Sequence, residues 1–192
     1  MDLARTYLGE KALEQGLKFI VKKPMGNMDK IMDWVEKIPM APHQKLDVQN
    51  VKKFLQNKDS NWYILADRLL TEIHPRVKEK FAVNFFLNAN FLGVPRQQEM
   101  AKKLGYCVPF TLLIDPTERC NLQCTGCWAG DYQRKDELDF QLLDRVLTEA
   151  EDLGIYFIVI SGGEPLVRKN DIIKLAEKHG SQCFHLFTNG TL

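Results

Sequence analysis

What most constrains this chain is an alternation that begins at Pro109. Phe110-Thr111-Leu112-Leu113-Ile114 is a compact apolar run suited to a buried parallel strand. Leu138, Leu142, Leu143, Val146, Leu147, Ala150 and Leu153 then mark one face of a helix that ends at Gly154. Ile155 to Ile160 is a second buried strand, a helix from about Asn170 to His179 ends at Gly180, and Cys183 to Thr188 is a third. Strand, helix, strand, helix, strand predicts an α/β segment with a parallel sheet, whose functional groups belong at the C-terminal strand ends.

The first hundred residues read differently. Apolar positions recur at steps of three and four, with Pro, Gly, Asn and Asp marking the gaps, so the spacing predicts helices throughout. One stripe runs through Leu3, Tyr7, Leu8, Leu13, Leu17, Ile20 and Val21; another through Met28, Ile31, Met32, Val35 and Ile38, after Asn27 and before Pro39. A short helix is expected over 47 to 56. Ser60 precedes Trp62, Leu65, Ala66, Leu69, Leu70 and Ile73, a stripe stopped by His74-Pro75. A further helix carries Val77, Phe81, Phe85 and Ala89, and Pro95 opens a last one that Gly105 closes. The aromatic set Phe81, Phe85, Phe86 and Phe91 reads as helix packing. The boundary falls between Gly105 and Pro109, giving a helical region over 1–107 and an α/β region over 108–192.

Composition narrows the function classes. Net charge is +1, so no global field draws the chain to nucleic acid or anionic lipid. No run approaches the roughly 18 apolar residues of a membrane span, and the N-terminus lacks a signal-peptide pattern, so the expected compartment is the cytoplasm. Five cysteines are an odd number, and three fall within eight positions. That fits a metal site in a reducing compartment better than a disulfide framework.

Those three form Cys120-Asn-Leu-Gln-Cys124-Thr-Gly-Cys127, a C-x3-C-x2-C spacing placed directly after the first strand. Such a loop folds back so that three thiolates point at a common centre. A [4Fe-4S] cube has four irons and is commonly held by four Cys. Three local thiolates leave one iron without a protein ligand, which is what a metal centre needs to bind and activate a small molecule. Downstream, Gly162-Gly163-Glu164-Pro165 follows the second strand, where two glycines let a backbone approach a neighbour closely.

The cysteine loop with its strand, the GGEP turn and the Thr188-Asn189-Gly190 ending together resemble the radical SAM superfamily over roughly residues 108–192. The resemblance implies that Cys120, Cys124 and Cys127 ligate the cluster. It implies that Gly162, Gly163 and Glu164 serve the methionyl amino group of S-adenosylmethionine, that Pro165 belongs to the cofactor-binding turn, and that Thr188 and Asn189 face the cofactor. It further implies reductive cleavage of that cofactor to a 5′-deoxyadenosyl radical, with a flavodoxin or ferredoxin as electron donor. The substrate is not readable. Many members carry an aromatic residue just before the third cysteine; Gly126 stands there here, and Trp128 one position later is the expected cover. The fold implied is a partial parallel (β/α) barrel preceded by an all-helical region. A closed barrel of about six strand–helix pairs needs on the order of 180 residues. Residues 110–192 supply 83, so the chain is expected to be incomplete for turnover.

Other readings compete. A zinc site wants a fourth ligand, for which His179, His185 or Cys183 are the candidates. A thiol redox pair at Cys124 and Cys127 leaves Cys120 unexplained. An inactive cluster-binding fragment is the third. Cys107 and Cys183 read as buried small hydrophobes, His43 as part of a turn, and His74 as a helix-end residue.

Overall fold

The computed structural model describes residues 42–129 and 136–192, together with 11, 14–18, 22, 32, 33 and 36. The stripes expected over Leu3–Val21 and Met28–Ile38 lie largely outside the described residues. By packing, the chain divides into two compact units, Met1–Val83 and Asn84–Leu192. The helix Val94–Leu104 thus belongs with the sheet.

The first unit contains α1 (Pro42–Gln56), α2 (Asn61–Glu72) and α3 (Pro75–Phe81). Ser60 caps α2 by accepting from the Tyr63 amide at 3.1 Å. Pro75 cannot continue the helix before it and opens α3, whose start His74 caps through the Arg76 amide. The stripe gave α2 its place but not a buried face: Trp62 is 71% exposed, and Leu65 and Leu69 are exposed too.

A π-helix spans Ala82–Gly93 and continues into α4 (Val94–Leu104), which Gly105 closes by donating to the Ala101 carbonyl. The aromatic set is therefore not a buried helical face. Phe81, Phe86 and Phe91 are about half exposed, while Phe85 packs edge-on against Phe157 at 5.3 Å between ring centroids. The physical reason is the wider turn. Bonds from i to i+5 rotate successive residues differently, so three- and four-residue spacing no longer stacks side chains on one stripe.

The second unit is built on three parallel strands, β1 (Thr111–Ile114), β2 (Phe157–Ile160) and β3 (Cys183–Leu186), in the spatial order 1-2-3. Thr111 pairs Phe157 and Phe157 pairs Cys183, so the register is flush. Between them run α5 (Phe140–Asp152), a 3-10 turn (Pro165–Arg168) and α6 (Lys169–Lys178). Consecutive parallel strands joined by helices are the repeating unit of parallel α/β folds, (β/α) barrels among them. The strands are shorter than the apolar runs. Ile155 is spent closing α5, its amide bonding to the Ala150 carbonyl at 2.8 Å. At the other end β2 turns away at Ser161, leaving Phe187 one bond to Ile160 and Thr188 none in the ladder.

Helices cover one face of the sheet. Leu143, Leu147 and Ala150 of α5 and Ile172 and Leu175 of α6 meet Ile158 and Ile160. Fully buried aliphatic side chains such as Leu147 and Ile158 each contribute roughly 1.5–3 kcal/mol. The opposite face carries Leu113 and Phe187, both exposed. At the N-terminal ends of the strands, amide side chains satisfy loop carbonyls: Asn84 donates to Gly180 and Gln182, Asn88 to Ser181, and Gln97 to Gly154. These bonds fix the entry points of β2 and β3, and so fix where the strands deliver their C-terminal ends.

Candidate functional site

The cysteine loop starts from a pinned base. Buried Thr117 donates its hydroxyl to Glu137 and accepts from the Arg119 amide, both at 3.1 Å. Main-chain bonds tie Glu118 to Asp136 and Leu138 to Pro116. Arg168, reaching back from the 3-10 turn, donates to the Pro116 and Leu138 carbonyls while pairing with Asp171 at 2.8 Å. Arg119 and Glu137 add an ion pair. Thr117, Glu118, Arg119, Asp136, Glu137, Arg168 and Asp171 are ordinary surface types that carry no signal in the sequence.

The Gly162-Gly163 pair packs directly on that base. The Gly163 amide donates to Thr117 at 3.0 Å and the Glu164 amide to Arg119 at 2.8 Å. Gly162 has φ +107, a conformation side chains rarely adopt, and a Cβ there would sit 2.6 Å from the Thr117 carbonyl oxygen. At Gly163 a Cβ would strike the carbonyl oxygens of Glu118 and Arg119. The close approach expected of the two glycines is thus made to the backbone of the cysteine loop.

Glu164 is almost wholly buried. One oxygen accepts from the Leu166 amide at 2.9 Å and the Thr188 hydroxyl at 2.8 Å; the other accepts from the Asn189 amide at 2.7 Å. A single carboxylate therefore joins the turn after β2 to the segment after β3. Pro165, also buried, opens the 3-10 turn beneath. Asn189 reaches further, donating to Asn121 inside the cysteine loop at 2.9 Å, and Asn121 donates to Thr191 at 2.8 Å. Asn121 went unnoticed in the sequence, although a polar side chain between two presumptive ligands is the available signal.

Cys120, Cys124 and Cys127 line one cavity of about 400 Å³, together with Glu118, Leu122, Gln123, Ala129 and Gly163. All three thiols are free, with Cys124 and Cys127 exposed. Among the described residues no group of three or more His, Cys, Asp or Glu side chains is arranged to hold a metal ion, so the three thiols share the cavity without converging on one centre. An open mouth lined by three soft thiolate donors suits an iron–sulfur cluster with one unligated iron. The candidates for a fourth zinc ligand stand elsewhere. His179 is buried against Asp144 at 2.9 Å, and His185 stacks edge-on with Phe187. Cys183 is buried in β3, where burial pushes its thiol up to about 11. Cys107 is exposed rather than buried, since it precedes β1 on the outside of the strand. Trp128 is 68% exposed and does not line the cavity.

A parallel α/β segment that ends its first strand in a three-cysteine loop, and braces that loop with a glycine turn, defines a cofactor-binding class. Residues 114–192 match the family pattern of the Radical SAM superfamily. That family works with a [4Fe-4S] cluster and S-adenosylmethionine. Among curated relatives, a probable GTP 3',8-cyclase of Methanothermobacter marburgensis is 40% identical over 86 residues, covering 43% of this chain and 28% of the relative. The GTP 3',8-cyclase of Desulforamulus reducens is 40% identical over 89 residues, covering 42% and 27%. That of Paracoccus denitrificans is 35% identical over 92 residues, covering 43% and 27%. The chain spans little more than a quarter of the length of these relatives. The crystal structure of Streptococcus suis SuiB bound to S-adenosylmethionine is similar at 19% identity and a TM-score of 0.43, covering 81% of this chain and 36% of that one. No helix among the described residues is long and apolar enough to cross a membrane.

Proposed function

We propose that this chain carries the cluster and cofactor end of a radical SAM enzyme, with Cys120, Cys124 and Cys127 holding a [4Fe-4S] cluster and S-adenosylmethionine taking the iron they leave open. The observation that carries this reading is one cavity lined by all three thiols and by Gly163 of the GGEP turn. When bound, the pair supplies reductive cleavage of the sulfonium to methionine and a 5′-deoxyadenosyl radical that abstracts hydrogen from a substrate. The electron comes from a reducing protein of the flavodoxin or ferredoxin kind.

The chain's own contribution is positional. Thr117, Arg119 and Glu137 hold the base of the loop, and the amides of Gly163 and Glu164 hold its rising side. Thr188 and Asn189 fix the carboxylate of Glu164, so the turn that carries Gly163 is tied to the segment after β3. The cyclases' substrate is GTP; the similarity covers too little of them to carry that substrate over.

The test is anaerobic reconstitution with iron and sulfide. About four irons per chain are expected, with S-adenosylmethionine perturbing the paramagnetic spectrum of the reduced cluster. A chain that takes up one zinc and no iron, or a spectrum unmoved at saturating cofactor, overturns the reading.

A further inference from the structure

The three thiols that line the cavity are not held alike. Just before Cys120, the peptide carbonyl of Arg119 accepts from the Glu164 amide at 2.8 Å. Just after it, the Asn121 side chain enters a closed ring of hydrogen bonds. Asn121 Nδ2 donates to Thr191 Oγ1 at 2.8 Å, that hydroxyl donates to Asn189 Oδ1 at 2.7 Å, and Asn189 Nδ2 returns to Asn121 Oδ1 at 2.9 Å. The Thr191 amide, a donor only, also bonds Asn189 Oδ1 at 3.0 Å, which fixes the direction of the ring. Each bond in such a one-way ring polarises the next, so the three hold better together than singly. The ring stands on a buried anchor, because the Asn189 amide donates to the carboxylate of Glu164. Both ties on Cys120 thus lead back to one residue, and the Leu122 amide adds a bond to its sulfur at 3.4 Å. Cys124 and Cys127 differ. Both are exposed, and among the described residues the main-chain bond they make is to each other, from the Cys127 amide to the Cys124 carbonyl at 3.3 Å.

We infer that Cys120 is the fixed metal ligand of the loop, that the ring of Asn121, Thr191 and Asn189 is the positioning device that fixes it, and that Cys124 and Cys127 close onto metal already held there. The inference rests on the cluster reading proposed above and deepens it by giving the site an order of assembly. A ligand fixed in advance loses little freedom when metal arrives, so the first bond forms there most readily. The other two thiols, four and seven positions further on, then search only the short span that the chain allows. Because the three thiols share the cavity without converging on one centre, part of the loop moves when all of them ligate, and the ties on Cys120 leave that movement to the arm carrying Cys124 and Cys127. Asn121 and Thr191 act through Cys120 and touch no metal themselves.

The experiment uses the full chain, metal-free and reduced, with iodoacetamide as the probe and modification of each cysteine followed by peptide mass spectrometry. Iron uptake during anaerobic reconstitution is timed in parallel. Cys120 should alkylate about tenfold more slowly than Cys124 and Cys127. Thr191→Val removes the hydroxyl that both accepts and donates in the ring. It should speed Cys120 about fivefold, leave the other two rates unchanged, and slow iron uptake without lowering the final content of about four irons. Thr191→Ser, which keeps the hydroxyl, should match the wild type in both measurements. Three equal rates in the wild type, a Thr191→Val that leaves Cys120 unchanged or speeds all three alike, or one that speeds Cys120 while iron uptake keeps its wild-type rate overturns the inference and leaves the cluster reading standing. A wild-type chain that shows the expected alkylation pattern but takes up zinc and no iron overturns the cluster reading, and the order of assembly with it.

Discussion

Asn189 donates from Nδ2 to Oδ1 of Asn121 at 2.9 Å, joining the end of the third strand to the middle of the cysteine loop across 68 residues of sequence. The same Asn189 gives its backbone amide to Glu164. One residue therefore reports to both halves of the site. Both asparagine side chains are exposed, so the bond itself is weak, and its value lies in restricting the loop. Asn121→Ala and Asn189→Ala should each cost about 0.5–1.5 kcal/mol, with a double mutant costing less than the sum. Urea denaturation of the four proteins measures this. Strict additivity would mean that the bond does not couple the two segments.

Gly163 has no room for a methyl group. Its Cβ would meet two carbonyl oxygens, of Glu118 and Arg119, and both belong to backbone held by other bonds. Gly163→Ala should destabilise the second unit by about 1–3 kcal/mol through overpacking. Gly105→Ala is the control: φ is +79 but nothing lies within 4 Å, so only the backbone penalty of about 1 kcal/mol applies. If Gly105→Ala proved the more damaging, the close approach at Gly163 would not be what matters.

Replacing Cys120, Cys124 or Cys127 with Ala should each abolish the brown absorbance of the reconstituted chain, since all three line the cavity. Cys107→Ala and Cys183→Ala should retain it, because one thiol lies before β1 and the other is enclosed in β3. Iron analysis together with the visible spectrum decides it, and loss of metal in Cys183→Ala would bring the zinc reading back.

Cys183 also makes stability depend on alkaline pH. Burial raises its thiol from 9.0 to about 11, so between those values the folded state holds a proton that the unfolded chain has lost. Stability from this group is fully present below pH 9 and disappears as pH rises through 11. Wild type and Cys183→Ala should therefore differ in the slope of unfolding free energy against pH in that window, the wild type falling more steeply. Parallel slopes would show that the thiol ionises as readily folded as unfolded.

Much of this arrangement was readable from residue order, for reasons that differ along the chain. Ser60, Pro75, Pro95 and Gly105 act through local backbone rules, and each begins or ends a helix as those rules require. The three cysteines and the two glycines announce themselves by type and spacing, and the cavity gathers Gly163 with all three thiols. The phenylalanines misled because a π-helix changes the period on which the inference rests. Thr117, Asn121, Arg168 and Glu118 were invisible for another reason. Each acts through a partner at least 18 positions away or through a cavity that exists only once three strands are paired, and nothing in its immediate neighbours encodes that distance.

The brace between Glu164 and the segment after β3 has a consequence for the order in which the site comes into being. During synthesis the thiols leave the ribosome first, and Thr188 and Asn189 follow some sixty residues later, on the order of seconds at ordinary elongation rates. Until they arrive, the Glu164 carboxylate lacks two of its three donors, and the turn that carries Gly163 is held only by its own amide bonds to Thr117 and Arg119. Under the proposed cluster reading, the turn behind the thiols is therefore braced from both sides only after the third strand has emerged.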